Sequence, residues 1–294
     1  MNVSKPVLLS IALLAVSTGL WMPHILNVNM VNLPVDEEGN LLVRIIEPEE
    51  PPPPPSVWEE IVKRGYMRVG TSPDWPPYEY LDEMGNLIGF EVDLTEMIAE
   101  RLDIEVEWIE MSFDAIVPSV QAGDIDLGVS GFSVTPQRLE VVQFTMPHII
   151  TEGQIIMLNS TRTALGITEI DSLANLTDLG LTCGTGVGTT QEEELQNEAP
   201  AALVIYVDCL AALDDMKIGA IDCVYAETPL TSWWVLEAEE AGEEPIVIIY
   251  RRPYWPVAFV AHLDSDILVA KINGALAEII SEGKLDELKA QWKC

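Results

Sequence analysis

The stretch from Ile125 to Arg138, IDLGVSGFSVTPQR, most narrowly limits what this chain can fold into. Ile125 to Val129 is a short apolar run of the kind found in buried strands, and Thr135-Pro136 supplies a helix N-cap and a first-turn proline. Small residues lie between them. A strand that ends in such a turn exposes backbone N–H groups and hydroxyls at the carboxyl edge of a sheet, where open α/β folds bind ligands. The stretch therefore predicts a ligand-binding turn between a strand and a helix.

Arg138 stands in the first turn of the predicted helix. A cation normally disfavours this position because the helix N-terminus carries a partial positive charge. Its placement therefore indicates a guanidinium directed at an anion, most simply a carboxylate bound through two hydrogen bonds. The alternative is an arginine solvated on a helix surface, and the other motifs of the chain favour the binding interpretation.

Those motifs occur in a fixed order along the chain. With residues 125–138 they are GTSPDWPPY (70–78), GFEVDL (89–94), FDAIVPSV (113–120), GTTQ (188–191) and GAIDCV (219–224). Together they resemble the polar amino-acid family of bacterial and archaeal extracellular solute-binding proteins (extracellular solute-binding protein family 3), whose members are receptors of ABC importers. The resemblance covers residues 57–292 and rests on the combination of motifs, since each one alone is weak.

The resemblance implies an α/β protein with the two-lobed, periplasmic-binding-protein-like fold, in which each lobe is a mostly parallel, doubly wound sheet. The alternation of strand and helix patterns between residues 66 and 129 agrees with this architecture. Two segments are expected to join the lobes, near residues 151–154 and 251–257. Lobe 1 would then comprise residues 57–151 and 254–294, and lobe 2 residues 152–253.

The resemblance also implies where an amino acid binds. Trp75 and Phe113 would enclose its aliphatic part. Arg138 and Thr190 would bind its carboxylate, and Glu227 would pair with its ammonium group. The complete set of candidate ligand-binding residues is Ser72, Trp75, Phe113, Ser130, Gly131, Ser133, Arg138, Thr189, Thr190 and Glu227.

Two of these positions depart from the family pattern. Ser72 stands where many members have an aspartate that contacts the ligand's side chain, so a polar or neutral side chain is expected unless Asp74 takes that role. Glu227 stands where aspartate is usual, which keeps the charge but lengthens the side chain by about 1.5 Å. The alternatives are ordinary loop packing for Trp75 and a solvated carboxylate for Glu227.

The charge of the chain excludes some classes of partner. Its 15 Lys and Arg residues against 48 Asp and Glu give a formal net charge of −33. Such an acidic protein is a poor ligand for nucleic acids or for an anionic membrane surface, because both repel it. The balance favours a soluble surface exposed to the exterior of a cell.

The four cysteines are Cys183, Cys209, Cys223 and Cys294. Their spacing lacks a Cys-x-x-Cys pair, so a metal site is not expected. In an exported protein an even number of cysteines favours disulfides, and we expect one bridge among the first three. The alternative is that these thiols are buried and unpaired.

The N-terminus is typical of an export segment, because no charged residue occurs between Lys5 and Asp36. Residues 1–26 are expected to form either a cleaved signal peptide or a membrane anchor. We favour the anchor because residues 27–56 form a linker whose proline run, EPEEPPPPP (47–55), could hold a domain away from a membrane. The alternative is a disordered leader. The domain is expected at the cell surface or in the periplasm.

The expected function is reversible capture of a free amino acid between two lobes, followed by delivery to an ABC permease in the membrane. A monomer without a cofactor, catalytic residues or a bound metal would suffice for this task. Two alternatives remain open at this point. One is a dehydratase-like enzyme on the same fold, and the other is the ligand-sensing domain of a signalling receptor.

Overall fold

The computed structural model describes residues 55–294, without the side chains of Pro253 and Tyr254. The predicted signal or anchor segment (1–26) and all but the last two residues of the predicted linker (27–56) lie outside the described residues. Within residues 55–294, no helix combines the length and the apolar character that crossing a membrane requires.

The first part of the described chain alternates helices and strands, as its apolar periodicity predicts. Ser56 and Glu59 form a capping box at the first helix, and Gly65 ends that helix with a φ of 85°. The elements are α1 (Val57–Arg64), β1 (Tyr66–Thr71), β2 (Asp74–Trp75), β3 (Glu79–Leu81), β4 (Leu87–Ile88), α2 (Phe90–Leu102), β5 (Glu105–Glu110), α3 (Phe113–Ala122), β6 (Leu127–Gly128), α4 (Pro136–Leu139) and β7 (Gln143–Phe144).

The second part continues the alternation and returns to the first sheet near the C-terminus. Its elements are β8 (Ile149–Leu158), α5 (Asn159–Leu165), α6 (Ala174–Asp178), β9 (Cys183–Gly186), α7 (Thr190–Glu198), β10 (Leu203–Tyr206), α8 (Cys209–Lys217), β11 (Cys223–Glu227), α9 (Leu230–Ala241), β12 (Ile246–Val257), β13 (Val260–Ala261), α10 (Asp266–Ser281) and α11 (Lys284–Trp292).

Two five-stranded sheets carry most of these elements, and β2, β3 and β4 form a small third sheet. The first has the order β5-β1-β6-β13-β7, and the second has the order β10-β9-β11-β8-β12. We call the bodies built on them lobe 1 and lobe 2. In lobe 1, β1 pairs in parallel with β5 and β6, and in lobe 2, β9 pairs in parallel with β10 and β11. The antiparallel pairs are those of β13 with β6 and β7 in lobe 1, and those of β8 with β11 and β12 in lobe 2. The predicted α/β architecture is confirmed, with mixed sheets.

Each sheet is covered by helices on both faces, and this is where the core lies. One face of the lobe 1 sheet packs against α1, α2, α10 and α11, and the other face packs against α3. In lobe 2, α6 and α7 cover one face, and α8 and α9 cover the other. Burying a large aliphatic or aromatic side chain in such layers contributes about 1.5–3 kcal/mol. The lobes are therefore stabilised independently of the cleft between them.

Two long strands link the lobes. β8 and β12 pair antiparallel in the lobe 2 sheet, with Thr151 opposite Trp255 and Gly153 opposite Arg252. Their lobe 1 ends lead to β7 and β13 of the first sheet. The boundaries predicted at residues 151 and 254 fall inside these two continuous strands, so the exact division between the lobes stays a prediction.

The cysteines differ from the expectation of a disulfide. All four thiols are free in the structure, and Cys183, Cys209 and Cys223 are buried. Cys183 and Cys223 lie opposite each other on β9 and β11, where they pack in the lobe 2 core. An even cysteine number predicted a bridge, but these side chains serve as small apolar core residues instead.

Candidate functional site

The ligand-binding turn predicted between residues 125 and 138 lies between β6 and α4 of lobe 1. Gly131 has a φ of 58°, and a Cβ atom there would lie 3.3 Å from Nε1 of Trp75, so glycine is the residue that fits. Thr135 caps α4, because its Oγ1 accepts a hydrogen bond from the Arg138 N–H at 3.2 Å. From this turn the Ser133 hydroxyl reaches lobe 2, where it donates to Glu227 Oε1 at 2.7 Å.

A cavity lies between this turn and lobe 2. We call it the head compartment. All the predicted ligand-binding residues except Ser72 line it, and Gln191 lines it as well. Its lining residues are Trp75, Phe113, Ser130, Gly131, Ser133, Arg138, Thr189, Thr190, Gln191 and Glu227.

Arg138 extends its guanidinium across the cleft. Nη1 donates to the Ser133 carbonyl at 3.0 Å, and Nη2 donates to the Gly188 carbonyl of lobe 2 at 3.1 Å. The guanidinium also lies 5.6 Å and 5.3 Å from the ring centroids of Phe113 and Phe132. Burial lowers the pKa of Arg138, and the charge of Glu227 opposes this shift. Among the described residues no carboxylate forms an ion pair with Arg138, so its charge is available to an anionic ligand.

Glu227 ends β11 and is only 4% exposed, which excludes a solvated carboxylate. Its Oε1 accepts from Ser133 Oγ at 2.7 Å, from Thr190 Oγ1 at 3.1 Å and from Gln191 Nε2 at 2.9 Å. Its Oε2 accepts from Thr151 Oγ1 at 2.9 Å. These donors come from both lobes, and one of them, Thr151, lies on the linking strand β8. Glu227 is therefore a buried acceptor that connects the two walls of the cleft through hydrogen bonds.

Thr189 and Thr190 begin α7 at the opposite wall of the cleft. Thr189 is the N-cap, since its Oγ1 accepts from the Glu192 N–H at 3.1 Å. The Thr190 hydroxyl donates to Glu227 rather than facing an open position. Any carboxylate bound on this side would therefore use the free N–H groups of the first helical turn rather than that hydroxyl.

A second cavity adjoins the first, and we call it the side-chain compartment. The two cavities share Trp75, Phe113, Ser130 and Thr189. The new lining residues include two acids, Asp74 of lobe 1 and Asp208 of lobe 2, together with Gly186, Val187, Val207 and Cys209. No lysine, arginine or histidine is among the residues that line this compartment.

Asp74 is the acid that lobe 1 supplies to this compartment. Its Oδ1 accepts from Ser72 Oγ at 2.5 Å. Burial raises the pKa of Asp74 to about 6, the hydrogen bond from Ser72 opposes the shift, and the charge of Asp208 adds to it. Asp208 caps α8 by accepting from the Ala211 N–H at 2.7 Å. An unpaired carboxylate in a partly dry cavity is unfavourable unless a cation joins it.

Ser72 itself does not line either cavity. Its hydroxyl donates to Asp74, and its N–H donates to Ser130 Oγ at 3.3 Å. Ser72 therefore holds two lining residues in position without lining the cavities itself. Among the lining residues with polar side chains, Gln191 and Asp208 were missed by the sequence reasoning. Gln191 belongs to the GTTQ motif, and Asp208 follows β10 at the carboxyl end of a parallel strand, which is a position that could have marked it.

Comparison with known proteins gives matches over most of the chain. The family model described as bacterial extracellular solute-binding proteins, family 3, matches residues 67–293. The ABC transporter arginine-binding protein 1 of Escherichia coli strain K12 is 26% identical over 226 residues, which cover 76% of this chain and 88% of that protein.

Solved structures give the same picture. An ancestral arginine-binding protein bound to arginine is similar with a TM-score of 0.70 and 30% identity, covering 78% of this chain and 98% of that one. An ancestral amino-acid-binding protein, a precursor of cyclohexadienyl dehydratase, is similar with a TM-score of 0.72 and 26% identity, covering 81% and 99%.

Proposed function

Because the chain belongs to family 3 of the bacterial extracellular solute-binding proteins, we propose that it captures a free amino acid between its two lobes and delivers it to an ABC importer. The family acts outside the cytoplasm, and this supports an extracytoplasmic location for the described domain. A tether formed by residues 1–26 belongs to the proposal, and those residues lie outside the described part of the chain.

The observation that carries the proposal is the charge arrangement of the head compartment. Arg138 brings a half-buried guanidinium without a carboxylate partner among the described residues, and Glu227 brings a buried carboxylate to the same cavity. A zwitterion carries the complementary pair, a carboxylate for Arg138 and an ammonium group for Glu227. The rings of Trp75 and Phe113 supply an apolar surface for the carbon atoms between these groups and the side chain.

The side-chain compartment supports a cationic amino acid such as arginine. Ser72 stands at the position where many family members have an aspartate, and Asp74 instead supplies a carboxylate to the side-chain compartment. Closing the lobes brings Asp74 and Asp208 into one compartment without a positive charge in its lining, which a guanidinium or ammonium group would supply. The arginine-binding relatives agree with this choice of ligand.

Closure of the lobes is the step that couples binding to transport. Gln137 of lobe 1 donates to Glu193 of lobe 2 at 3.0 Å, and Arg138 reaches Gly188 across the cleft. These contacts exist only when the lobes meet, and the walls of both compartments come from both lobes. A ligand that contacts both walls therefore shifts the population toward the closed form, which the permease would recognise.

Binding without turnover is part of the proposal. Both oxygens of Glu227 are already engaged by hydrogen-bond donors of the protein, an arrangement that suits holding a ligand group better than proton transfer to a leaving group. The dehydratase alternative predicts turnover of prephenate-like acids, and a sensor role predicts a signalling partner in place of a permease. A turnover assay separates the first alternative from simple binding.

The direct experiment is mass spectrometry of the ligand released from protein purified without denaturation. The proposal predicts a basic amino acid at close to one equivalent per chain, or stoichiometric uptake of arginine by protein that has been stripped by dialysis. Absence of binding to every proteinogenic amino acid would contradict it.

A further inference from the structure

A pair of buried carboxyl groups lies directly beneath the ligand-binding turn. Glu79 on β3 and Glu91 on α2 are both 0% exposed. Glu79 Oε1 accepts from Ser130 Oγ at 2.9 Å, and Glu91 Oε2 accepts from the Gly131 N–H at 2.8 Å. Each carboxyl group therefore holds one residue that lines the head compartment.

This pair has few groups to balance its charge. His148 Nε2 lies 2.7 Å from Glu91 Oε1, with both side chains fully buried. Within residues 55–294, no lysine or arginine forms an ion pair with either acid. The titratable groups that face Glu79 or its partner are Glu91, Asp74, Tyr78, His148 and Cys294. At most one positive charge therefore faces two buried acids.

The second oxygen of Glu79 shows how the pair is accommodated. Oε2 is buried and receives no hydrogen from any donor group of the described residues. An ionised Glu79 would leave this oxygen uncompensated, whereas a protonated Oε2 can donate to Glu91. Burial and the adjacent Glu91 raise the pKa of Glu79 well above its usual range, against the opposing hydrogen bond from Ser130.

We propose that Glu79 and Glu91 hold one proton between them, carried on Glu79 Oε2, and that this arrangement fixes Ser130 as a hydrogen-bond acceptor for the ligand's amine. Ser130 Oγ gives its only hydrogen to Glu79 Oε1 and accepts from the Ser72 N–H. Its remaining lone pair is then left for the cavity that it lines. Glu79 is thus a positioning residue that acts through Ser130, and this role rests on the proposed amino-acid binding.

The shared proton has a consequence for stability that does not depend on ligand. Because the folded-state pKa of Glu79 is raised, its contribution is present below the unfolded pKa and is lost as the pH rises through the folded pKa. Glu79→Gln replaces the neutral acid by an amide that can accept from Ser130 and donate to Glu91. In thermal unfolding of the full chain, wild type should lose stability relative to Glu79→Gln with rising pH, by up to about tenfold in the unfolding constant per pH unit. Glu100→Gln on the exposed face of α2 is the matched control and should follow wild type.

The positioning role is tested by selectivity for the amine. Full-chain variants are titrated calorimetrically with arginine and with 5-guanidinopentanoic acid, which lacks only the α-amine. Ser130→Ala should lower the preference for arginine by at least about fivefold, since it removes an acceptor for a charged group. Glu79→Leu should also lower it, because the Ser130 hydroxyl loses the acceptor that holds it. Glu79→Gln should preserve it.

Unchanged amine selectivity in both Ser130→Ala and Glu79→Leu would overturn the positioning role. Parallel pH profiles of unfolding for wild type and Glu79→Gln, or a Glu79→Gln protein that fails to fold, would overturn the shared proton, because a neutral isostere must be tolerated where the acid is neutral. If wild type binds no amino acid at all, the proposed function fails, while the unfolding profiles still decide whether the proton is shared.

Discussion

The two compartments of the cleft balance their charges differently. In the head compartment, Glu227 receives four hydrogen bonds from protein groups, and Arg138 is held by two carbonyls and two aromatic rings. In the side-chain compartment, Asp74 receives a side-chain hydrogen bond from Ser72 and faces Asp208 without a cation in the lining. The protein itself organises the first compartment, whereas the second depends on the ligand for its missing charge.

This difference separates recognition from selectivity. A head compartment whose charged groups are already hydrogen-bonded by the protein in the closed form suits the part that all amino acids share. A side-chain compartment without a cation in its lining favours a cationic side chain, since a neutral ligand leaves the half-buried Asp74 without a charged partner. Substitutions in the two compartments should therefore have different signatures.

The largest effect is expected from Arg138→Ala. The ligand's carboxylate would enter a buried site without its cation, at a cost of about 2–5 kcal/mol in binding free energy. Calorimetry should show the loss for arginine and for citrulline alike, because both carry the carboxylate. Arg101→Ala is the matched control, since Arg101 pairs with Glu278 and Glu282 far from the cleft, and it should bind normally. Near-normal affinity of Arg138→Ala would show that Arg138 does not bind the ligand's carboxylate.

A smaller loss is expected from Glu227→Gln, about 1.5–3 kcal/mol for arginine, because a charge-assisted hydrogen bond to the ammonium group becomes a neutral one. The analogue without the α-amine should lose much less. Both ligands titrated against the same variant provide the comparison. Equal losses would mean that Glu227 supports the cleft through Ser133, Thr151 and Gln191 and does not contact the amine.

Asp74→Asn should act on side-chain selectivity alone. Arginine should lose about 1–2 kcal/mol while citrulline, its neutral counterpart, changes little. Because the pKa of Asp74 is about 6 and a cation binds its ionised form, arginine affinity in wild type should fall as the pH drops below 6, by up to about tenfold per unit. The variant should lack that dependence. Asp264→Asn, at a largely exposed acid, is the control, and an identical pH profile in wild type and Asp74→Asn would place the titration elsewhere.

The smallest expected effect is a change in the radius of gyration when ligand binds. If arginine bridges the walls of both compartments, the radius of gyration of residues 55–294 in small-angle X-ray scattering should decrease on binding, and the melting temperature should rise. Arg138→Ala should show neither change at the same ligand concentration. Tight binding with an unchanged radius would mean that β8 and β12 do not act as a working hinge.

The residues that line the head compartment could be picked out from the sequence because much of their chemistry is local. The turn from Ser130 to Ser133, the N-cap at Thr135 and the arginine that follows are close in the chain, so propensity and spacing reveal them together. Thr190 and Glu227 came from motifs at strand ends, where open α/β sheets bind ligands. Their roles as ligand contacts stay predictions.

The side-chain compartment was less accessible to sequence reasoning because no motif in the sequence links its two acids. Asp74 and Asp208 are distant in the chain, and Asp208 also reads as an ordinary helix cap. The buried pair of Glu79 and Glu91 was hidden for a related reason, since their motifs show acids that would normally be taken as exposed. The cysteines led to a wrong prediction of a disulfide, because an even number of cysteines carries no information about whether their side chains are buried and unpaired.

One measurement tests the central claim that both compartments act on one ligand. Wild type is titrated calorimetrically at pH 7 with arginine, with citrulline, which lacks the side-chain cation, and with agmatine, which lacks the carboxylate. The account predicts that arginine binds most tightly, that citrulline binds at least about tenfold more weakly, and that agmatine loses still more, because its loss falls on the Arg138 contact. Citrulline or agmatine binding as tightly as arginine would contradict it.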